Sequence, residues 1–210
     1  MQESMAPSLE EVIRQIRTAN LSPFETDLDT HVRVIRDKYP NGLGFSKKAS
    51  SRFSDPDKVN PSYGVIYAAQ DLATCVAEVI VRDTKVGNSG KMVLSYKKAV
   101  SDWRAISITS KAPLRLLNLT GLGLIQFGIK TNIVRQKGQK SSRQLGKAIH
   151  DNPAGFDGIL YGSRITMGQC IAIFDRAIPK LKIDQEIKLT DMEADLADIY
   201  RSMNIVVRRT

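Results

Sequence analysis

Apolar residues recur at helical spacing in four segments of the chain. Ser8 and Glu11 have the spacing of a capping box, which predicts a first helix from Ser8 to Ala19. Asp71 is the expected N-cap of a second helix, whose apolar stripe consists of Leu72, Cys75, Val76, Val79 and Ile80. A short helix near Ser142–His150 and a closing helix within Asp191–Asn204 are also predicted.

Short runs rich in β-branched and aromatic residues predict strands between these helices. The run from Tyr63 to Ala69 alternates, so that Tyr63, Val65 and Tyr67 share one face. Further strands are predicted at Met92–Tyr96, Trp103–Thr109, Leu114–Leu119, Gly158–Tyr161 and Cys170–Phe174. Because several strands follow one another without intervening helices, the pattern predicts an α+β fold rather than a Rossmann domain.

Composition places the chain among globular proteins. Of its 210 residues, 42% are hydrophobic and 25% are charged, which excludes a disordered, collagenous or coiled-coil chain. The glutamates near the N-terminus argue against a secretory signal, and no apolar run is long enough to span a membrane. Cys75 and Cys170 are expected to be buried, reduced thiols, and the protein is therefore expected to be cytoplasmic.

The common nucleotide-binding and hydrolase motifs are absent from the sequence. It contains no phosphate-binding glycine loop, no G-x-G-x-x-G, no nucleophile elbow and no H-E-x-x-H. The chain has two histidines, His31 and His150, which would have to converge to form a histidine-based triad or metal site. We therefore expect no metal.

Basic residues outnumber acidic ones by 31 to 22, which gives a net charge of +9. The stretch 130–149 contains no acidic residue and six basic ones, namely Lys130, Arg135, Lys137, Lys140, Arg143 and Lys147. Such a stretch attracts phosphates, but it is equally typical of a solvated loop and helix face. A basic nucleic-acid-binding protein is thus an alternative function, although the stretch lacks aromatic residues for base stacking.

Four polar residues stand in a fixed order at the edges of apolar elements. Arg52 lies in an irregular segment before a predicted strand, and Tyr67 lies near the end of that strand. Glu78 follows Tyr67 by 11 residues and lies off the apolar stripe of its helix, while Ser163 follows a later strand. Each has an ordinary explanation, respectively as a surface charge, a sheet-packing ring, a solvated helix residue and a turn residue.

This ordered set resembles the RES domain family, which is named for an arginine, a glutamate and a serine. In that family an Arg-aromatic pair precedes a short strand that ends in Tyr, a Glu follows 11 residues after that Tyr, and a Ser follows a late apolar strand. Arg52 with Phe53, Tyr67, Glu78 and Ser163 match that order. The resemblance covers the chain from about Arg33 to Phe174.

The resemblance implies an ADP-ribosyltransferase-like mixed β core with flanking helices. RES proteins act as bacterial toxins that destroy NAD+ by hydrolysis or phosphorolysis, and some relatives transfer ADP-ribose to a protein. NAD+ is therefore the expected substrate and a cognate antitoxin is the expected protein partner. Cleavage of the nicotinamide glycosidic bond is the leading hypothesis, and a mono-ADP-ribosyltransferase with a protein acceptor is the alternative.

The chemistry of glycosidic cleavage gives each matched residue an expected role. Loss of nicotinamide develops positive charge on the ribose, which the carboxylate of Glu78 would stabilise. Arg52 would bind the diphosphate through its forked donors, and Tyr67 would stack against the nicotinamide ring. Ser163 would hydrogen-bond either Arg52 or the substrate, and Tyr63 is a secondary candidate for contact with the substrate.

Two departures from the family pattern remain. Arg52 lies 15 residues before Tyr67, a longer connection than in compact members, so Arg33 is the alternative for the key arginine. The chain also continues beyond the matched region at both ends. We therefore predict an N-terminal helical extension at 1–30, a RES domain at 31–180, and a C-terminal extension with the closing helix at 181–210.

Overall fold

The computed structural model describes residues 8–29, 31–84, 86, 90–126 and 138–209. Within these residues, eight strands form one mixed sheet and two form a small parallel pair. The strands are β1 (Phe24–Thr26), β2 (His31–Arg36), β3 (Val65–Ala69), β4 (Met92–Ser95), β5 (Trp103–Ser110), β6 (Leu114–Leu119), β7 (Gly158–Gly162), β8 (Gln169–Phe174), β9 (Leu181–Lys188) and β10 (Ile205–Arg208). Across the large sheet they lie in the order β1-β6-β7-β8-β3-β2-β5-β9. The predicted α+β fold with a mixed β core is confirmed.

Two of the described α-helices begin at the capping residues that the sequence predicts. The α-helices are α1 (Leu9–Thr18), α2 (Leu72–Val76), α3 (Leu122–Gln126), α4 (Lys140–His150) and α5 (Glu193–Ser202). Ser8 accepts the N–H of Glu11 at 3.2 Å, and Asp71 accepts the N–H of Thr74 at 2.6 Å, as the capping patterns predict. Shorter π or 3₁₀ turns occur at Ala77–Val81, Lys97–Ser101, Asp175–Lys180 and Leu189–Met192. None of the described helices is long and apolar enough to cross a membrane.

The helix that carries Glu78 changes its pitch after α2. It continues through Ala77–Val81 as a π-helical turn, in which each turn holds more residues than in an α-helix. The prediction that Val79 completes the apolar stripe is therefore wrong, because Val79 is 39% exposed. A stripe deduced from sequence assumes a constant 3.6 residues per turn, and the π turn breaks that assumption.

Each face of the large sheet contributes to a hydrophobic cluster. On one face, α1, α2, α4 and α5 cover a core to which Val65 contributes. On the other face, Ile66 packs with Ile106 in a second hydrophobic cluster. Successive residues of β3 therefore enter opposite cores, which is the alternation that the sequence predicts.

Several elements were not predicted from the sequence. These are β1, β2, β9, β10 and α3. In β9 every residue after Leu181 is exposed or half-buried, so its apolar pattern is sparse. The predicted boundaries at residues 30 and 180 stay predictions, but both outer segments contribute to the large sheet, since β1 pairs with β6 and β9 pairs with β5.

The large sheet opens between β2 and β3. Six residue pairs join β2 to β5, and five join β3 to β8. In contrast, β2 and β3 share one pair, between Val32 and Ala69. The two strands separate beyond that pair.

Two side chains satisfy backbone groups that this separation leaves without a strand partner. The N–H of Val34 donates to the Cys75 Sγ at 3.1 Å, and the Arg33 guanidinium donates to the Tyr67 carbonyl at 3.4 Å. Buried backbone groups need such partners, because leaving one unpaired costs about 1–3 kcal/mol. The opening is therefore compatible with a stable fold.

Burial of the histidines makes stability depend on pH. Burial lowers the pKa of both His31 and His150 below the usual value. As the pH falls, the unfolded chain therefore takes up protons before the folded chain does, and stability decreases. We expect the free energy of unfolding to fall between about pH 7 and about pH 5, by at most about 1.4 kcal/mol for each unit of pKa difference.

The His150→Phe variant tests this expectation. The His150 ring stacks on Tyr63 with centroids 4.2 Å apart, and Phe keeps a flat ring there but cannot titrate. Urea unfolding across the same pH range should show a smaller decrease for the variant, because only His31 then titrates in that range. An equal decrease in both proteins would contradict this account.

Candidate active site

A cleft of about 490 Å³ opens where β2 and β3 separate. Its walls come from β2, β3, Trp103 of β5 and the segment that follows β2. Of the predicted site residues, Arg33 and Tyr67 line this cleft. Its other lining residues include Ile35, Arg36, Tyr39, Phe45, Ser51 and Val65.

The phenol of Tyr67 is fixed by the irregular segment before β3. Its hydroxyl oxygen accepts the Ser51 hydroxyl at 2.9 Å and the Phe53 backbone N–H at 2.9 Å. Burial raises the pKa of Tyr67, so the phenol stays protonated at neutral pH. With its hydroxyl held at one end, the ring presents a fixed surface to the cleft.

Asp55 organises the segment that holds Tyr67. This carboxylate is fully buried and accepts the Ser62 N–H at 2.7 Å, the Ser62 hydroxyl at 2.6 Å and the Asp57 N–H at 2.9 Å. Although burial alone would raise the pKa of Asp55, these hydrogen bonds lower it overall. The segment is therefore a structured loop despite its lack of helix or strand.

The two candidate arginines have different environments. Arg52 is 8% exposed, and its charge acts on the buried Tyr67 phenol. Arg33 lines the cleft, where it donates to the Gly44 carbonyl at 2.8 Å, and its buried Nε has no partner among the described residues. Burial lowers the pKa of Arg33 to about 10, so it stays charged at neutral pH. The structure thus brings Arg33 to the cleft and encloses Arg52.

Glu78 is held by the turn that follows β7. Its Oε1 accepts the Ser163 hydroxyl at 2.7 Å and the backbone N–H of Arg164 at 3.2 Å. The buried Ser163 oxygen also accepts the N–H groups of Ile165 at 3.1 Å and Thr166 at 3.2 Å. These two bonds hold the carboxylate through Oε1.

Ser163 has a partner that the sequence did not predict, because its hydroxyl donates its single proton to Glu78. The expected bond between this hydroxyl and Arg52 or the substrate stays a prediction. Ser163 therefore acts on Glu78 by positioning it. Sequence reasoning missed this pair because the two residues are 85 positions apart and lie on different elements.

Cys75 lies on α2, where its Sγ accepts the Val34 N–H at 3.1 Å. The charges of Arg33 and Glu78 both act on this thiol. Burial raises the pKa of Cys75 to about 12. The thiol is therefore protonated at neutral pH and is not a nucleophile.

Tyr161 is a second buried neighbour that the sequence did not single out. It lies two residues before Ser163 and is 6% exposed. Burial raises its pKa well above the usual value, and Tyr67, Glu78 and Arg52 all act on its phenol. The charges or dipoles of three predicted residues thus reach Tyr161, and the fourth, Ser163, follows it by two positions.

Tyr63 is not brought to the cleft. Its side chain is fully buried, its hydroxyl donates to the Phe53 carbonyl at 2.9 Å, and its ring stacks on His150. The expectation that it contacts the substrate is not supported by this position, because alternation along a strand specifies a face but not the depth at which a ring lies. Its contact with Phe53 instead supports the loop that holds Tyr67.

The basic stretch at 130–149 is in part committed to contacts within the protein. Lys130, Arg135 and Lys137 lie outside the described residues. Arg143 donates to the Ser51 carbonyl at 3.1 Å, and Lys147 pairs with Asp151. These contacts do not favour a nucleic-acid footprint. Among the described residues there is also no cluster of three His, Cys, Asp or Glu side chains that would suit a metal ion.

The chain is similar to known proteins in sequence and in fold. A protein described as "Probable toxin y4kH" from Sinorhizobium fredii (strain NBRC 101917 / NGR234) is 26% identical over 127 residues, which are 60% of this chain and 99% of that protein. The fold matches a chain in the crystal structure of the M. tuberculosis MbcT-MbcA toxin-antitoxin complex, with a TM-score of 0.67 and 17% identity. That match covers 92% of this chain and 100% of the other.

The family assignment rests on a match that spans most of the chain. The RES domain matches residues 32–195, from the start of β2 into α5, and so includes the cleft and all the residues around Glu78. The resemblance seen in the ordered polar residues is confirmed: the chain belongs to the RES domain family.

Proposed function

We propose that this protein is a toxin that cleaves the nicotinamide glycosidic bond of NAD+ and is neutralised by a cognate antitoxin. The observation that carries the proposal is the carboxylate of Glu78, fixed through Oε1 by Ser163 and the Arg164 N–H. Its partner Ser163 follows β7 at the level of Ala69, the last residue of β3, and β3 forms one wall of the cleft. The lining of that cleft includes a charged guanidinium and an aromatic ring, those of Arg33 and Tyr67. This set suits a substrate with a diphosphate, a ribose and a flat cationic ring.

The reaction needs charge stabilisation more than proton transfer. When the bond between ribose C1′ and the nicotinamide nitrogen breaks, its electron pair passes to nicotinamide, which leaves as a neutral molecule. The ribose becomes oxocarbenium-like, and an oriented carboxylate lowers the energy of that state. Glu78 supplies the carboxylate. An oxygen of water or phosphate then forms the new bond to C1′, and when that oxygen comes from water one of its protons passes to the solvent. These steps require neither a metal nor a general acid.

Arg33 is the better candidate for binding the diphosphate. It is charged, it lines the cleft and its Nε lacks a partner among the described residues, whereas Arg52 is enclosed. A guanidinium binds phosphate oxygens through paired donors, which an ammonium cannot reproduce. Tyr67 offers its ring to the nicotinamide end, with the hydroxyl anchored by Ser51 and Phe53.

The proposed toxin role and the proposed antitoxin partner are supported by the similar proteins. The Sinorhizobium relative is described as a probable toxin, and the matched fold was solved as a toxin-antitoxin complex. By analogy, we propose that a cognate antitoxin covers the cleft until it is removed or degraded, and that the protein acts in the cytoplasm, where NAD+ is available. The ADP-ribose acceptor is water or phosphate in this proposal.

Replacing Glu78 should abolish catalysis without unfolding the protein. The Glu78→Gln variant keeps the side-chain shape and an oxygen that can accept the Ser163 hydroxyl, but removes the charge that stabilises the ribose cation. We expect kcat/KM for NAD+ to fall by about 100-fold or more. NAD+ loss by the purified protein, with and without inorganic phosphate, measures this.

The matched control is Glu25→Gln on the edge strand β1, which does not line the cleft. The activity of this control variant should equal that of the wild type. A rate that requires phosphate identifies a phosphorylase, and a rate that does not identifies a hydrolase. If the folded wild-type protein consumes no NAD+ under either condition, the cleavage proposal is wrong and the mono-ADP-ribosyltransferase alternative gains support.

Lysine substitutions should distinguish the two arginines. We expect Arg33→Lys to raise KM for NAD+ about tenfold with a small change in kcat, because it loses paired donors to the diphosphate. Arg52→Lys should mainly lower the midpoint of thermal unfolding, since it alters an enclosed charge. Steady-state kinetics and thermal melts of both variants provide the comparison. An increase in KM for Arg52→Lys alone would assign the diphosphate to Arg52.

A further inference from the structure

We propose that the cleft contains a separate subsite for a planar aromatic base, formed by Phe45 and Tyr39 at the end remote from Glu78. This inference rests on the proposed function and deepens it, because it assigns the adenine half of the substrate to named residues. It implies that the protein selects a dinucleotide over nicotinamide mononucleotide.

The Phe45 ring packs against the backbone of Gly64, just before β3. A Cβ placed on Gly64 would be 2.1 Å from Cδ2 of Phe45, so the ring occupies the space that any other residue at position 64 would fill. The side chain nevertheless remains 43% exposed and lines the cleft. One part of the ring is therefore packed while another is open to a ligand.

The segment around Phe45 is anchored on both sides of the ring. Gly44 accepts the Arg33 guanidinium at 2.8 Å, and Lys47 donates to the Ser62 carbonyl at 3.0 Å and pairs with Asp175 at 3.6 Å. A ring held by such contacts loses little conformational entropy when a base stacks on it. The exposed surface is thus preformed.

Tyr39 supplies a second open ring in the same cleft. Its backbone is fixed, because its N–H donates to the Arg36 carbonyl at 3.1 Å and its own carbonyl accepts Arg104. Its side chain is 53% exposed. Two exposed aromatic rings along one cleft, on anchored backbone, suit stacking of a flat heterocycle.

The order of chemical groups along β3 assigns the base to this end. Phe45 packs at Gly64, before the strand begins, and Arg33 bonds the carbonyl of Tyr67 in its middle. Glu78 lies toward the other end of β3, because it bonds Ser163, which directly follows β7. The last residue of β7 pairs with Gln169 of β8, and the next residue of β8, Cys170, pairs with Ala69 at the end of β3.

Five residues of extended chain separate the two ends, a distance of about 16 Å. Along β3, from its first residue to its last, the order of groups is therefore aromatic rings, then a guanidinium, then a carboxylate. A dinucleotide presents a base, then a diphosphate, then the nicotinamide ribose, in that order. The cleft matches this order when adenine lies at Phe45 and Tyr39.

Binding of ADP tests the subsite independently of catalysis, because ADP has no nicotinamide glycosidic bond. Calorimetry should show that the wild type binds ADP more tightly than inorganic pyrophosphate, which lacks the base. Phe45→Ala should weaken ADP binding about tenfold and leave pyrophosphate binding unchanged. The matched control is Phe24→Ala on β1, which removes a ring with nearly the same exposure, 45%, outside the cleft.

Gly64→Ala provides a second variant in which Phe45 is retained but displaced. It should weaken ADP binding as Phe45→Ala does. If the wild type binds ADP no more tightly than pyrophosphate, or if Phe45→Ala leaves ADP binding unchanged, the subsite does not exist. Failure of the protein to cleave NAD+ would leave these binding results intact, so the two proposals fail separately.

Kinetics with two substrates locate the base within the cleft. Phe45→Ala should raise KM for NAD+ about tenfold but should not change kcat/KM for nicotinamide mononucleotide, which has no adenine. An equal loss for both substrates would place the nicotinamide end at Phe45 and overturn the assignment.

Discussion

The separation of β2 from β3 is the constraint on which the cleft depends. After the single pair between Val32 and Ala69, two strands that would otherwise continue their ladder move apart. The backbone groups left open are satisfied by the Cys75 thiol and the Arg33 guanidinium. Because an unpaired buried amide or carbonyl is costly, the sheet can remain open only with such partners in place. The Arg33 guanidinium thus has two roles, since it stabilises the opening between the strands and also lines the cleft that this opening creates.

The groups that we propose to act on the substrate are positioned by two irregular segments of the chain. The Asp55 loop fixes the Tyr67 hydroxyl through Ser51 and Phe53. The turn after β7 orients Glu78 through Ser163. Both arrangements use hydroxyl and backbone donors in a buried environment, where hydrogen bonds are stronger than in water. The irregular segments of the chain are therefore the parts that determine the geometry of the site.

Features that depend on residues close together in the sequence were predicted correctly. The capping residues Ser8 and Asp71 and the alternation of β3 depend on neighbours within a few positions, and both predictions were confirmed. The prediction for Val79 failed because the π turn alters helical phase, and that turn has no signature in the apolar pattern. The strand β2 was missed because its arginines face the cleft and weaken the contrast between apolar and polar positions.

The sequence by itself determined the family, through the ordered set of Arg, Tyr, Glu and Ser residues and their spacing, since those positions follow from the order of elements along the chain. The tertiary structure decided which arginine lines the cleft, which group receives the Ser163 proton, and that Tyr63 belongs to the core. These outcomes depend on contacts such as Arg33 with Tyr67 and Glu78 with Ser163. Each contact joins residues more than 30 positions apart. The spacing of residues along the chain does not specify which of such distant groups are neighbours in the folded sheet.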